Sequence, residues 1–337
     1  MDERFNEDGL VLSEHYAETM ENEVLPFLKA REQRLTVEGQ GGKPLYCVRY
    51  DADAPKGTVL VLHGFTESTE KFTELYYSLL QNGLSVAAYD QRGHGRSWRD
   101  EAAKKDISLT HIGNFNEYVR DLERVCDEAL KGMPRPWMIF AHSMGGAVTG
   151  LFLERHADIF SRAALCAPMI APQTAGMPRL TVEMMCRFFK LIGQGKRRVF
   201  ISKPYDGPED FNAGFASSRV RFASSRVRFD WYDKIKKKHR EFWNNGPSYS
   251  WTLEAIKVTK RLLASGAPEK IACPVKLYTA ENDNSVLPEP QQQFIGRVKR
   301  GERVLVKGAM HEIFRSTDEV LFPWWHDVLT FLKKGAE

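Results

Sequence analysis

The sequence predicts an α/β fold whose central sheet is mostly parallel and is flanked by helices on both faces. Hydrophobic runs of strand length alternate with helical segments along most of the 337 residues. The run Thr58–Leu62 contains only β-branched residues and leucine, which is typical of a strand buried on both sides. With 42% hydrophobic residues, the chain can bury a large core, either as one domain or as a domain with an insertion.

Periodicity and turn residues predict the elements in chain order. Residues 34–39 and 45–51 form a predicted hairpin, because Gly41-Gly42 between them is a turn signal. The other predicted elements are strands 58–62, 85–89, 137–140, 163–167, 275–279 and 303–306 and helices 70–82, 115–130, 145–155 and 320–332. Residues 170–255 break this alternation. We therefore predict four regions, namely an acidic extension (1–33), a first core part (34–169), an insertion (170–255) and a second core part (256–337).

Charge is distributed unevenly along the chain, although the net charge is only +4. Residues 1–24 hold eight acidic residues and one basic residue, whereas residues 187–240 hold fifteen Lys/Arg and five Asp/Glu. The basic stretch has two readings, a solvated polar face or attraction to anionic lipid headgroups or an acidic substrate. Nucleic acid is disfavoured as a partner, because no nucleic-acid-binding motif accompanies the charge.

The five cysteines are scattered and lack the spacing of a disulfide framework or a zinc site, which favours a reducing compartment. The N-terminus lacks the basic and then apolar pattern of a secretory signal. No run has the apolar length that a bilayer-spanning helix needs. These observations predict a cytoplasmic protein.

A candidate nucleophile follows the predicted strand 137–140. Ser143 stands between small residues two positions away on each side, Ala141 and Gly145, and a helical segment comes next. This is the pattern of a nucleophile elbow, in which a serine sits on a sharp turn where strand and helix cross closely. Alanine replaces the usual first glycine, and its methyl group is small enough for such a crossing. The predicted fold is therefore the α/β-hydrolase fold.

Three further motifs accompany the elbow, and together the four resemble a known family. They are His-Gly-Phe at 63–65, Asp-Gln-Arg-Gly-His-Gly-Arg-Ser at 90–97 and Gly-Ala-Met-His-Glu at 308–312. The chain resembles the hydrolases of the serine aminopeptidase S33 type, and among them the bacterial lysophospholipases and monoacylglycerol lipases. The similarity runs over about 34–332, and it implies that the insertion 170–255 is a helical lid.

Acyl transfer needs a nucleophile, a base and a carboxylate that orients the base. Ser143 is the predicted nucleophile. His311 is the predicted base, because it lies in a short turn after the last strand and the chain order of this fold is serine, acid, histidine. His142 is predicted to pack and to form hydrogen bonds rather than to act as the base. His63 and His94 are predicted to support their loops.

Two carboxylates compete for the third position, Asp283 and Glu281 in the loop after strand 275–279. The resemblance favours Asp283, since family members carry an acid three residues before a valine here, and Val286 matches that valine. An oxyanion hole needs two backbone N–H donors. One is predicted at Met144, directly after the nucleophile, and the resemblance implies that the other is at Phe65.

The predicted function is hydrolysis of carboxylic esters of monoacyl lipids, either lysophospholipids or monoacylglycerols, through an acyl-enzyme. The alternatives are a general carboxylesterase or amidase on small soluble substrates and, less favoured, a non-catalytic binding protein with the same fold. The expected partners are a lipid-like ester and an anionic membrane surface. The residues call for no metal, nucleotide or flavin, and the sequence leaves the oligomeric state open.

The insertion contains a direct repeat of seven residues. The sequence Ala-Ser-Ser-Arg-Val-Arg-Phe occupies 216–222 and again 223–229. Seven residues make about two helical turns. We expect the second copy to lengthen a lid helix, with Phe222 and Phe229 on nearly the same face, and the alternative is a surface loop.

Overall fold

A computed structural model describes residues 2–212 and 222–336 of the chain. In this part of the chain, the main sheet has eight strands in the order β1-β2-β4-β3-β6-β7-β9-β10. The strands are β1 (Gln33–Gly39), β2 (Lys43–Tyr50), β3 (Thr58–Leu62), β4 (Ser85–Tyr89), β5 (Leu109–Thr110), β6 (Trp137–His142), β7 (Ala163–Cys166), β8 (Gly246–Pro247), β9 (Val275–Ala280) and β10 (Gly301–Val306). β1 and β2 pair antiparallel as the predicted hairpin, and β2 joins β4 antiparallel. The six strands from β4 to β10 pair in parallel, as predicted.

Helices cover both faces of the sheet. They are α1 (Tyr16–Thr19), α2 (Leu25–Arg31), α3 (Thr73–Gln81), α4 (Glu101–Lys105), α5 (Asn116–Glu128), α6 (Met144–Leu153), α7 (Arg179–Leu191), α8 (Arg226–Lys238), α9 (Tyr249–Leu262), α10 (Pro288–Ile295) and α11 (Asp318–Lys333). Leu60 and Leu62 of β3 pack in one core cluster with α5, α6 and α9. Val59 and Val61 pack in a second cluster with α3 and α11. The continuous apolar run of β3 is thus buried on two faces, and the α/β-hydrolase fold is confirmed.

The N-terminal residues pack against the core although their sequence is acidic. Leu10, Val11, Met20 and Val24 are fully buried in the same cluster as α3 and α11. The charged side chains of this segment lie between these apolar positions. Most of the acidic side chains are exposed, whereas Asp8 is buried and lies 3.0 Å from Nδ1 of His326, so the segment is amphipathic.

α8, in the insertion between β7 and β9, is held by a fully buried arginine. The Arg228 side chain pairs with Glu74 of α3 at 3.0 Å and with Asp318 of α11 at 2.7 Å. It also donates to the backbone carbonyl of Val11 at 2.7 Å. Arg228 therefore joins α8 to the core and to the N-terminal segment, and it belongs to the second copy of the repeat.

The prediction that one helix runs through both copies of the repeat is wrong. α8 begins at Arg226, with Ser225 as its N-cap, so Phe222 lies before the helix and does not share a helical face with Phe229. Serine is a preferred N-cap, and the backbone N–H of Ser225 is held by the carbonyl of Arg315 at 3.0 Å. These two features make the helix begin inside the second copy of the repeat. Residues 213–221 lie outside the described residues.

Within residues 2–212 and 222–336, every helix is too short or too polar to cross a bilayer.

Candidate active site

Ser143 occupies a sharp turn between β6 and α6. Its backbone has φ +48°, a conformation that L residues rarely adopt outside strained turns. A Cβ atom on Gly145 would lie 2.6 Å from the carbonyl oxygen of Leu62 and 2.7 Å from that of His63. Only glycine fits at this crossing of β3 and α6. Ala141 is also fully buried, so both small residues of the motif lie where the backbone is crowded.

Ser143, His311 and Asp283 form a continuous chain of hydrogen bonds. Nε2 of His311 lies 2.9 Å from Oγ of Ser143, and Nδ1 of His311 lies 2.8 Å from Oδ2 of Asp283. The other Asp283 oxygen accepts the backbone N–H groups of Ser285 at 2.8 Å and Val286 at 3.0 Å. The three residues follow β6, β9 and β10, whose carboxyl ends meet at one edge because these strands are parallel.

Glu281 lies elsewhere in the same loop. Its side chain is exposed, and Oε2 accepts the backbone N–H of Gly308 at 2.8 Å. The structure therefore brings Asp283 to His311 and places Glu281 at the start of the turn that leads to His311.

The two ionisable members of the chain shift each other's pKa. Burial by itself lowers the pKa of His311, but the Asp283 carboxylate and its hydrogen bond outweigh burial and raise that pKa above its ordinary value. Burial raises the pKa of Asp283, yet His311 and the two backbone N–H groups outweigh burial and lower it. Asp283 is thus a carboxylate that stabilises a positive charge on His311.

The loop after β3 lies directly against Ser143. A Cβ atom on Gly64 would lie 3.0 Å from Cβ of Ser143, so glycine is needed for this close approach. Phe65 follows, and its ring packs against the ring of Trp251 in α9, with the centroids 4.0 Å apart. Met144 is the first residue of α6, and the N–H groups of a first helical turn have no partner within their own helix. The loop and the helix start thus flank the serine turn.

A buried group of charged side chains lies beside these residues, with Glu67, Lys71 and Glu312 lining the same cavity as Ser143, and it was not predicted from the sequence. Glu67 contacts Nδ1 of His142 at 2.8 Å and Nζ of Lys71 at 3.0 Å. Nζ of Lys71 also donates to the Glu312 carboxylate at 2.5 Å, and that carboxylate accepts from the Arg315 guanidinium at 2.6 Å. The sequence signals available were the (i, i+4) pair Glu67–Lys71 and the (i, i+3) pair Glu312–Arg315.

The other predicted supporting histidines also have defined partners. Nε2 of His63 accepts the backbone N–H of Gln91 at 2.9 Å, so His63 links the loop after β3 to the loop after β4. Nδ1 of His94 lies 3.1 Å from the carbonyl oxygen of Arg92 within its own turn. Burial lowers the pKa of both His63 and His94.

Ser143 and His311 open onto a cavity of about 690 Å³. Much of its wall is apolar and comes from α7, α9 and the segments next to them. This apolar part is lined by Phe65, Met169, Met177, Val182, Met185, Val199, Phe200, Ile201, Phe222, Phe229, Trp251, Ala255, Ile256 and Val286. A cavity of this size and lining can bury most of a ligand with an extended hydrocarbon chain.

Comparisons with known proteins agree with this geometry. A family model described as "Serine aminopeptidase, S33" matches residues 53–318. The chain is 30% identical over 310 residues to Lysophospholipase L2 of Escherichia coli strain K12, covering 86% of this chain and 84% of that protein.

Solved structures show the same fold. A soluble variant of monoglyceride lipase from Saccharomyces cerevisiae, in complex with a substrate analog, has a TM-score of 0.69 at 19% identity, covering 90% of this chain and 96% of that chain. A carboxyl esterase from Bacillus coagulans has a TM-score of 0.69 at 15% identity, covering 91% of this chain and 99% of that chain. On the family match and the identity to the Escherichia coli protein, this chain belongs to the serine aminopeptidase S33 family of hydrolases.

Proposed function

We propose that the protein hydrolyses carboxylic esters of monoacyl lipids, with Ser143 as nucleophile, His311 as general base and Asp283 as the carboxylate that orients it. The observation that carries the proposal is the hydrogen-bonded chain of these residues in the wall of a largely apolar cavity. The relatives named as a lysophospholipase and a monoglyceride lipase support the choice of substrate class.

The mechanism follows from the hydrogen bonds. His311 Nε2 takes the proton of Ser143 as Oγ attacks the ester carbonyl carbon, and Asp283 stabilises the imidazolium. The backbone N–H groups of Phe65 and Met144 donate to the developing oxyanion. The intermediate collapses, His311 returns its proton to the leaving alcohol, and the acyl group stays on Ser143. A water molecule, activated by His311, then releases the fatty acid.

A hydrolysis panel tests the substrate class. We expect turnover of lysophospholipids or monoacylglycerols to exceed that of p-nitrophenyl acetate, and the kcat/KM of p-nitrophenyl esters to rise with acyl length. The physical reason is that each buried methylene contributes about 0.8 kcal/mol of binding in an apolar cavity. A flat profile with acetyl esters or small amides as the best substrates would instead favour a general carboxylesterase or amidase.

We also propose that α7 docks on an anionic membrane surface. Its outer face exposes Leu180, Met184, Phe188 and Leu191, spaced four, four and three residues apart, and Leu191 is 85% exposed. Such a stripe of large apolar side chains is unusual on a free protein surface. Exposed basic side chains occur in the same helix and directly after it, namely Arg187, Lys190, Lys196 and Arg197, of which Arg187 pairs with Glu183 and Lys196 with Asp100.

The inner face of α7 connects this surface to the cavity. Val182 and Met185 line the cavity, while the stripe lies on the opposite side of the same helix. An apolar helix face with a basic rim is the pattern of helices that lie in the interface of anionic bilayers. Docking through α7 would thus bring the cavity wall to the lipid.

The paired change Leu180→Ser with Leu191→Ser tests this surface. We expect co-sedimentation with phosphatidylglycerol vesicles to weaken at least about tenfold, because two large apolar contacts with lipid are lost. Binding of the parent protein should also fall as salt rises, because salt screens exposed charge.

Leu305→Ser is the matched control, since Leu305 is an exposed leucine on β10. It should leave vesicle binding unchanged, and all variants should keep their activity on a short soluble ester. Equal binding to phosphatidylcholine and phosphatidylglycerol vesicles, unaffected by salt, would leave the basic stretch as a solvated face.

Two further proposals concern organisation and location. We propose that residues 170–255 are a lid, because α7, α8 and α9 all contribute to the cavity wall. The five cysteines are all buried free thiols, which supports the proposal of a cytoplasmic location.

A further inference from the structure

Two buried side chains join three of the loops that carry the proposed catalytic groups. Glu67 accepts the backbone N–H of Gly64 at 2.6 Å, one residue before Phe65. The same carboxylate oxygen contacts Nδ1 of His142, the residue before Ser143. Nε2 of His142 lies 3.2 Å from the backbone carbonyl oxygen of His311. The loops after β3, β6 and β10 are thus linked through Glu67 and His142.

The loop after β3 needs such support because its backbone is strained. Thr66 has φ +61°, a left-handed conformation that is unfavourable for a β-branched residue. The hydrogen bond from the Gly64 N–H to the Glu67 carboxylate closes a turn that contains Phe65 and Thr66. The direction of the Phe65 N–H depends on this turn, because Phe65 lies inside it.

Glu67 is held as a carboxylate by its neighbours. Burial raises the pKa of Glu67, but the contacts with His142, Lys71 and the backbone N–H of Gly64 outweigh burial and lower that pKa well below its ordinary value. The side chains of Glu67 and His142 are each 2% exposed, so their contact lies in a buried environment.

We infer that Glu67 is a positioning residue, which sets the oxyanion donor of Phe65 through Gly64 and the backbone of His311 through His142. The inference rests on the proposed function. Glu67 does not contact the reacting atoms, and its effect passes through the two backbone contacts.

The replacement Glu67→Gln tests the inference, because glutamine has the same size without the charge. We expect kcat on a soluble ester to fall about 10²-fold, since misplacing an oxyanion donor or a reacting group by about 1 Å has an effect of this order. KM should stay within about threefold, because glutamine keeps the shape that Glu67 gives to its part of the cavity wall. Labelling of Ser143 by a fluorophosphonate should slow in parallel.

His142→Gln provides a second, independent variant and should give a similar loss of kcat. The kcat of the double variant should be at most about threefold lower than that of the less active single variant, because the two residues act as one unit. A loss in the double variant equal to the product of the single losses would overturn the inference.

Asp121→Asn is the matched control. Asp121 is a buried carboxylate of α5 that also accepts a backbone N–H, from Gln40 at 2.8 Å, and pairs with a buried arginine, Arg92. It should lower the thermal midpoint as Glu67→Gln does but keep kcat within about threefold. An equal loss of kcat in Asp121→Asn, or an unchanged kcat in Glu67→Gln, would show that Glu67 is only structural.

Ser143→Ala in the same assays separates a failure of the proposed function from a failure of the inference about Glu67. If Ser143→Ala retains activity, the proposed function fails. If Ser143→Ala is inactive while Glu67→Gln keeps its kcat, the proposed function stands and the inference about Glu67 fails.

Discussion

Ser143→Ala and His311→Ala are each expected to lower ester hydrolysis by about 10⁴- to 10⁶-fold. Without the hydroxyl there is no acyl acceptor, and without the imidazole the proton of Ser143 has no base within hydrogen-bond distance. The residual rate reflects binding and the backbone donors alone. Steady-state hydrolysis of a long-chain p-nitrophenyl ester measures the effect, and circular dichroism with a thermal melt confirms that each variant is folded.

The double variant Ser143→Ala with His311→Ala should be hardly slower than either single variant, because the two residues act as a unit. Fluorophosphonate labelling should disappear in Ser143→Ala. Near-normal hydrolysis by Ser143→Ala would contradict the mechanism.

Asp283→Asn is expected to lower kcat by at least about 10²-fold. The amide cannot stabilise the imidazolium that forms on His311, and its NH₂ group can face Nδ1 and favour the wrong tautomer. The carboxylate raises the pKa of His311, and the base must be unprotonated to act. Removing the negative charge should therefore shift the acidic limb of the pH–rate profile to lower pH.

Glu281→Gln is the control for this prediction, since it changes the competing carboxylate in the same loop. Its activity should stay within about twofold of the parent, because position 281 is exposed and the amide oxygen of the glutamine can still accept the Gly308 N–H. If Glu281→Gln proves more damaging than Asp283→Asn, the acid is Glu281.

The parallel core of the fold was predictable because its signals are local. In strands such as Thr58–Leu62, a continuous apolar run indicates burial on both faces. In the predicted helices, the spacing of the apolar residues indicates which face is buried. α4 and α10 were not predicted because they are short, and the pair β5–β8 was not predicted because only a long-range contact forms it. Leu109 and Thr110 of β5, for example, pair with residues 246 and 247.

The candidate site was predictable where one segment carries the whole signal. The Ser143 turn needs small neighbours, and these are visible in the sequence. The choice between Asp283 and Glu281 was open because both lie in one loop, and only the folded turn shows which carboxylate meets His311. Glu67 and His142 were missed as partners because they are 75 residues apart in sequence. Their contact exists only once β3 and β6 are paired.

The anchor of α8 has a consequence for how this chain tolerates change. The seven residues that contain Arg228 are duplicated directly before it, so removing either copy yields the same sequence and leaves an arginine at the anchoring position. The extra length falls before the capped start of α8, outside the buried contacts of Arg228 with Glu74 and Asp318. A slippage event during replication can therefore add or remove this unit without breaking the anchor. The chain length before Ser225 can thus vary while the contacts that anchor α8 are kept.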